Sequence, residues 1–406
     1  MIPKKIIFQA IDPLFILCYA LLEKNSILHH KGGNTTVEDI FALGDSLGPA
    51  KVIHVHQPHL GLKGVLVVDN VATGPSIGGL RMATDVSTVE CARLARAMTL
   101  KNAAAGLPHG GGKSVLYGDP QMDPEKKEVL IRAFAHALRN EKDYIFGPDM
   151  GLNEECMAWI KDEIGRSVGL PLELGGIPLD EIGATGFGLQ RAIEVAIEYC
   201  DFSLSGARLV VQGFGAVGSH AARFLSQKGA ILVGVADSRA TIHDPNGIDV
   251  EELIRIKTDG GSMLDYPRGK KLEREAVIDI DCDIWVPAAR PDILHKDNVH
   301  RLKTKLVAQG ANIPLTPEAE QYLHAKGVLN LPDFIANAGG VICAAVEYHG
   351  GSQTTAMEDI SDKISANTRI MLEEAQQKDI PPREAALDLA QRRVMKAMAF
   401  KRWGIF

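Results

Sequence analysis

An apolar run, Leu209-Val-Val-Gln212, opens directly onto the glycine series Gly213-Phe-Gly-Ala-Val-Gly218, and a helix-like stretch follows. Alone, a G-x-G-x-x-G series is a weak signal. Set between a strand and a helix, it reads as a dinucleotide-binding turn. Gly213 permits the tight turn, Gly215 lets a pyrophosphate approach the backbone, and Gly218 lets the helix pack on the strand. Ala216 and Val217 complete the turn at the helix N-terminus, where the dipole favours negative charge. The next strand, residues 231–236, ends at Asp237, which is placed to accept hydrogen bonds from ribose hydroxyls and to repel a 2′-phosphate. NAD is therefore the expected cofactor; Ser238 and Arg239 alongside soften the preference and keep NADP as the alternative.

Strands and helices go on alternating. Helices are expected over 185–199 and 219–228, and strands over 208–212, 284–286, 306–308 and 328–331. This pattern predicts an α/β fold with a doubly wound, Rossmann-type domain over residues 177–354. Pro171, Gly175, Gly176 and Pro178 cluster just before it and mark a boundary. Upstream, residues 36–176 read as a second α/β domain. It has helices over 37–47, 88–105 and 125–141, strands over 52–56 and 64–70, and a short strand into Gly147. Ser87 and Glu90 resemble a capping box. The tail, 355–406, is mostly helical and broken at Pro381-Pro382.

Within the upstream domain, Leu107-Pro-His-Gly-Gly-Gly-Lys-Ser-Val-Leu-Tyr-Gly-Asp-Pro120 sets Lys113 directly behind three glycines, with Lys101 twelve residues earlier. The glycines leave the ammonium unshielded by neighbouring side chains and let backbone close around it. A lysine held so, partly desolvated and near another cation, moves toward the range of a base. The plainer alternatives are a turn or a phosphate loop. A Walker loop would need glycine where Leu107 stands.

Composition narrows the function. Of 406 residues, 46% are hydrophobic and 23% charged, as in a soluble globular chain long enough for two domains. A net charge of -7 leaves no basic surplus for nucleic acid or an anionic membrane. The six cysteines form no C-x-x-C pair, which fits a reducing cytoplasm and gives no zinc site; the histidines show no H-E-x-x-H arrangement, and no metal is expected. Residues 1–35 form an N-terminal extension whose clean apolar run, residues 13–22, is too short to span a bilayer.

The segment 107–120 resembles the active-site signature of the Glu/Leu/Phe/Val dehydrogenases. The similarity continues in order through Gly74-Pro-Ser-Ile-Gly-Gly-Leu-Arg81, Gly147-Pro-Asp-Met-Gly151, Gly183-Ala-Thr-Gly186, Gly213 to Gly218, Pro287-Ala-Ala289, Gly310-Ala-Asn312 and Pro332 to Gly340. It covers the chain from about residue 45 onward. The resemblance implies NAD(P)-dependent oxidative deamination of an L-amino acid to a 2-oxo acid and ammonia. It also implies a homo-oligomer, and a helical tail that packs back on the first domain. Carried onto this sequence, Lys101 anchors the α-carboxylate, Lys113 is the base that activates water, and Asp149 exchanges protons with the amine. A carboxylate between the two lysines would stay ionised and keep them oriented. Thr185, Ala288, Ala289, Asn312 and Asn337 would lie along the cofactor.

Ile77, Gly78, Gly147, Val341 and Ala344 would line the substrate side chain. The glutamate enzymes of this family carry a lysine where Ile77 stands and a serine near Ala344, to hold the γ-carboxylate. Both positions are apolar here, so a leucine-, valine- or phenylalanine-like substrate is expected. Asn153-Glu-Glu-Cys-Met-Ala-Trp159 points the other way, toward the glutamate enzymes. A catalytically silent nucleotide sensor is the alternative from another class, and it would have no need of two lysines and Asp149 together. A Rossmann enzyme for a folate or hydroxy acid would leave residues 107–120 without a purpose.

Overall fold

Two β-sheets, each drawn from a different half of the chain, organise the computed structural model, which describes residues 40–406. The expectations for the extension lie outside the described residues. The first sheet comprises β1 (Lys51–Gln57), β2 (Leu62–Asn70), β3 (Ser76–Ala83), β4 (Gly110–Tyr117) and β5 (Tyr144–Pro148), in the order β1-β2-β4-β3-β5. β2 pairs antiparallel with β1 and β4, whereas β3 pairs in parallel with β4 and β5. Helix α1 (Thr88–Ala104) makes the crossover from β3 to β4 and lays Cys91, Ala92 and Ala95 on Val65, Val67 and Val115. On the opposite face α2 (Pro124–Ala137) and α3 (Glu154–Ile164) bury Phe134, Ile131, Met157 and Ile160 against Leu66, Leu80, Leu116 and Phe146.

Two local expectations change, and one alternative falls. The plainer alternative of a glycine turn is not found: Gly110 to Gly112 belong to β4, inside the sheet. The glycines answer a packing demand, since a Cβ on Gly111 would lie 1.9 Å from the Thr99 amide nitrogen of α1. The helix expected over 37–47 is a 3-10 turn, Ile40–Leu43, followed by a bridge between Asp45 and Gly48; residues 37–39 are outside the described residues. The capping box is half made, because the Ser87 hydroxyl accepts from the Glu90 amide while the Glu90 carboxylate turns to Arg81.

The second sheet follows α4 (Ala184–Ile197). Its strands are β6 (Arg208–Gln212), β7 (Ile231–Ala236), β8 (Thr241–His243), β9 (Lys270–Leu272), β10 (Ile284–Pro287), β11 (Leu306–Ala308) and β12 (Leu329–Leu331), in the order β12-β11-β10-β6-β7-β8-β9. β12 through β7 are parallel and wound both ways from β6, so the topological switch falls between β6 and β10. β8 and β9 extend the β7 side as an antiparallel meander in place of another parallel strand. Helices α5 (Ala216–Gln227), α6 (Val250–Thr258) and α7 (Pro317–Ala325) flank the sheet. The turn α8 (Asp333–Ala336) and helix α9 (Gly339–Tyr348) lead into α10 (Gln353–Lys378) and α11 (Pro382–Ala399), which break at Pro381-Pro382 as expected. α10 packs on α4, and α11 packs on both α1 and β12, so the tail ties the two sheets together.

Candidate active site

Side chains alternate across a strand, so Ile77, Gly79 and Arg81 of β3 share one face. Lys113 reaches that face from β4, where it is 6% exposed. A Cβ on Gly79 would sit 2.8 Å from the Asp149 Cβ and 3.1 Å from the Lys113 Nζ, so the glycine makes the space that the two groups occupy. Lys113 Nζ lies 2.5 Å from the Asp149 Oδ2, and Arg81 Nε donates to the same oxygen at 3.0 Å. Burial works to raise the Asp149 pKa, but Lys113, then Arg81 and the Met150 amide, outweigh it and hold the carboxyl below its ordinary range. The carboxylate therefore stands between Lys113 and Arg81, not between the two lysines. Arg81, quoted in a motif but given no role from sequence, is the residue that sequence reasoning missed. Its signal was present: it stands four residues beyond Ile77 on the same strand face.

Lys101 occupies the last turn of α1 and donates to the Asn337 Oδ1 at 2.8 Å. Desolvation lowers its pKa to about 8, a shift that the nearby Asp333 carboxylate opposes and Lys113 reinforces. The Asn337 side-chain Nδ2 donates to the Asn312 Oδ1 at 3.0 Å and to the carbonyls of Gly310 and Ala311 at 3.3 Å. Asn337, expected at the cofactor, thus bridges from the second sheet's loops to the lysine of α1. A second bridge joins the two halves where His109 Nε2 meets His349 Nε2 at 3.0 Å, beside the Tyr348 ring.

The glycine turn has the geometry a dinucleotide requires. Gly213 adopts φ +100, and a Cβ there would strike Ala288 and Ala289 at 2.8 Å; one on Gly218 would lie 1.8 Å from the Gly213 carbonyl. A Cβ on Gly215 would meet nothing within 4 Å, so the middle glycine faces open space, as pyrophosphate binding needs. Ala216 and Val217 begin α5, whose N-terminus has no side-chain cap and so presents free N–H groups. Asp237 uses Oδ1 to accept from the amides of Arg239 (2.8 Å) and Ala240 (3.2 Å), while Oδ2 meets Lys257 Nζ at 3.3 Å. Thr185 stands in the first turn of α4, its hydroxyl 3.5 Å from a Cβ built on Gly340.

The expected pocket residues fall on two surfaces. Ile77 is 4% exposed on the β3 face, in register with Gly111 and Ile145, and Gly78 and Gly79 follow it against Phe146 and Gly147. Gly147 leaves room, since a Cβ there meets only Val168 Cγ2 at 3.5 Å and the Gly78 carbonyl at 3.9 Å. Val341 and Ala344 lie three residues apart on the partly open face of α9, whereas Ile342, Cys343, Ala345 and Val346 are buried. That helix runs from Gly340, near Thr185, to Tyr348, at His109. Its open face therefore spans from the nucleotide side to the first sheet.

A dinucleotide turn at one sheet, and a lysine–carboxylate cluster at the other, define an oxidoreductase of the two-domain, nicotinamide-dependent class. Comparison with known proteins makes the assignment narrower. Residues 175–402 match the model of the Glutamate/Leucine/Phenylalanine/Valine dehydrogenases, and residues 49–166 match that of the Glu/Leu/Phe/Val dehydrogenase dimerisation domain. A glutamate dehydrogenase of Aeropyrum pernix is 37% identical over 359 residues, covering 82% of this chain and 85% of its own length. An NADP-specific glutamate dehydrogenase of Saccharolobus shibatae is 33% identical, covering 89% of this chain and 95% of its own. An NAD-specific one of Staphylococcus aureus is 34% identical, with 82% and 85% covered. Among solved structures, the hetero-hexameric glutamate dehydrogenase of Thermus thermophilus in its leucine-bound form has a TM-score of 0.76 at 30% identity, covering 88% of this chain and 91% of its own. The L-tryptophan dehydrogenase of Nostoc punctiforme has a TM-score of 0.70 at 25% identity, with 86% and 97% covered. The chain belongs to the Glu/Leu/Phe/Val dehydrogenase family and is an NAD(P)-dependent amino acid dehydrogenase.

Proposed function

We propose that this enzyme reversibly converts an apolar L-amino acid to its 2-oxo acid and ammonia. The observation that carries this reading is Ile77, an apolar side chain on the same strand face as Lys113 and Asp149, where a substrate side chain would end. A γ-carboxylate left there without a partner costs far more than the ~2–7 kcal/mol of an unpaired neutral polar group. Burial of a leucine- or phenylalanine-sized side chain instead gains ~1.5–3 kcal/mol. Ala344 and Val341 extend the apolar surface, and Gly147 makes room for a side chain larger than valine.

In this reading Lys101 holds the α-carboxylate as a point charge. Bound NAD or NADP supplies the hydride acceptor, held by Gly213, Gly215, Gly218, Ala216, Val217, Ala288, Ala289, Asp237, Thr185 and Asn312. Loss of hydride from Cα, with the amine's proton taken up by the Asp149 carboxylate, leaves an imine on the substrate. Lys113 then takes a proton from water as the water attacks, and Asp149, 2.5 Å away, passes a proton to the departing ammonia. Arg81 orients that carboxylate. Lys257 beside Asp237 weakens the repulsion of a 2′-phosphate and favours acceptance of both nucleotides.

The chain assembles with copies of itself, a reading supported by the matched dimerisation domain and by the edge strand β1. Cys91, Cys156, Cys200, Cys282 and Cys343 are unpaired, which suits the cytoplasm. No helix among the described residues is long and apolar enough to cross a membrane.

Glutamate is the second reading, favoured by the names of the relatives. Steady-state NADH formation with leucine, valine, isoleucine, phenylalanine and glutamate, each with NAD and with NADP, separates the two. Higher kcat/KM for any apolar amino acid than for glutamate supports the proposal; glutamate equal or better overturns it. Ile77→Lys is expected to move activity toward glutamate. Turnover of any of these excludes a silent nucleotide sensor.

A further inference from the structure

The C-terminal helix sends one side chain into the second sheet. Arg383, at the start of α11, is 11% exposed. Its Nε donates to the Glu320 Oε2 at 2.7 Å, and its NH2 donates to the Gln309 Oε1 at 2.9 Å and lies 2.9 Å from the Asp333 Oδ1. The guanidinium also sits over the Phe334 ring, 5.6 Å from its centroid. Gln309 closes the group by donating to Glu320 (2.6 Å) and Asn330 (3.1 Å). Two carboxylates and a guanidinium buried together are costly to assemble and strongly destabilising to break singly, so their geometry is tightly held.

Asp333 holds the neighbouring loop with its other oxygen. Oδ2 accepts the Ile313 amide at 2.8 Å, and Ile313 adopts φ +49. A β-branched residue in the left-handed region is strained and persists only where its surroundings hold it. The strained residue directly follows Asn312, which contacts Asn337. The Asn337 amide in turn donates to the Asp333 carbonyl at 2.7 Å, and the Asn337 side chain accepts from Lys101. Of these residues only Lys101, Asn312 and Asn337 already have a place at the substrate or cofactor; Arg383, Glu320, Gln309, Asp333 and Ile313 have none.

We propose that Arg383 and Asp333 are positioning residues for Lys101: the pair clamps the two loops that present Asn312 and Asn337, and sets the charge that faces the lysine across the cleft. This rests on the reading of Lys101 as the α-carboxylate anchor. Since every amino acid carries that group, it does not depend on which side chain the enzyme prefers. The charged groups facing Lys101 are Asp333 and Lys113, and behind Asp333 stand Arg383 and Glu320. Lys101 binds carboxylate only while protonated, and its pKa near 8 places its titration within the assay range. Asp333 favours the charged lysine. Removing Asp333 therefore moves the alkaline loss of substrate affinity to lower pH, and removing Arg383 exposes Lys101 to more of the carboxylate's field and moves it to higher pH.

The test is KM as a function of pH from about 6.5 to about 9.5 for wild type, Lys101→Ala, Asp333→Asn and Arg383→Met. L-leucine is used, or L-glutamate if that is the amino acid turned over. Asp333→Asn is expected to raise KM at pH 8 about threefold relative to wild type while kcat stays within about twofold. Arg383→Met is expected to shift the alkaline rise of KM in the opposite direction. A structural defect alone would lower the thermal midpoint without moving the two pH profiles apart. If Lys101→Ala leaves KM unchanged, the anchor reading falls. If Lys101→Ala raises KM but both other variants keep the wild-type pH profile, the clamp is overturned and the anchor reading stands.

Discussion

Gly111→Ala tests whether the close approach of α1 to β4 sets the catalytic geometry. An alanine Cβ would lie 1.9 Å from the Thr99 amide nitrogen, 2.3 Å from its Oγ1 and 2.4 Å from its Cα, whereas ordinary contact begins at 3.4 Å. The helix must therefore retreat by about 1.5 Å, because the clash is with backbone that cannot rotate away. The retreat carries Lys101 away from Lys113 and breaks the 2.7 Å bond from the Asn102 side-chain Nδ2 to the Gly110 carbonyl. Overpacking costs ~1–3 kcal/mol and the lost hydrogen bond ~1. A melting temperature lower by roughly 4–16 °C follows, at about 2–4 °C per kcal/mol for a large domain. Since a 1 Å misplacement costs about 100-fold, kcat/KM for the amino acid should fall at least that much. NADH absorbance and differential scanning calorimetry measure the two quantities. Gly147→Ala is the control: its Cβ meets nothing nearer than 3.5 Å, so stability should hold and only the preference among side chains should change. A Gly111→Ala enzyme with kcat/KM within about threefold of wild type would refute the reasoning.

Three shorter predictions follow from the same geometry. Lys113→Ala should lower kcat by at least about 100-fold, the ordinary worth of a positioned base, while NAD affinity measured by calorimetry stays near wild type; comparable turnover would remove Lys113 from the chemistry. Asp237→Ala removes a carboxylate and frees the Lys257 ammonium and the Arg239 backbone amide, and the ratio of NADP to NAD efficiency should rise roughly tenfold or more, the worth of one hydrogen bond to a charged group. An unchanged ratio would place the determinant elsewhere. Burial, and then the neighbouring His349, lower the His109 pKa from its ordinary 6.5, against the pull of the Pro75 carbonyl. The unfolded chain therefore binds a proton that the native state withholds, and stability is lost as pH falls below 6.5. The drop in melting temperature between about pH 7 and about pH 5.5 should be smaller in His109→Phe than in wild type; equal drops would show that the histidine contact carries no such linkage.

Sequence by itself determined whatever depends on local chemistry. Gly213, Gly215 and Gly218 between a β-branched run and an apolar helix can make only a tight turn with open backbone, and the strands 208–212 and 231–236 stand where alternation put them. Pro381-Pro382 broke the tail for the reason any proline does: it lacks an N–H and clashes with the preceding turn. Tertiary structure decided the rest. Three consecutive glycines carry no period, so sequence could not tell a loop from a strand; the backbone of α1 pressing on Gly111 makes that choice. The partner of Asp149 depends on which residues share a strand face after β3 and β4 pair, and that register brings Arg81 to it while Lys101 turns to Asn337. Asn337 lies 236 residues from Lys101, and Arg383 reaches Asp333 from a helix fifty residues later in the chain. Contacts of that kind follow from how sheets and helices pack, and no spacing along the chain records them.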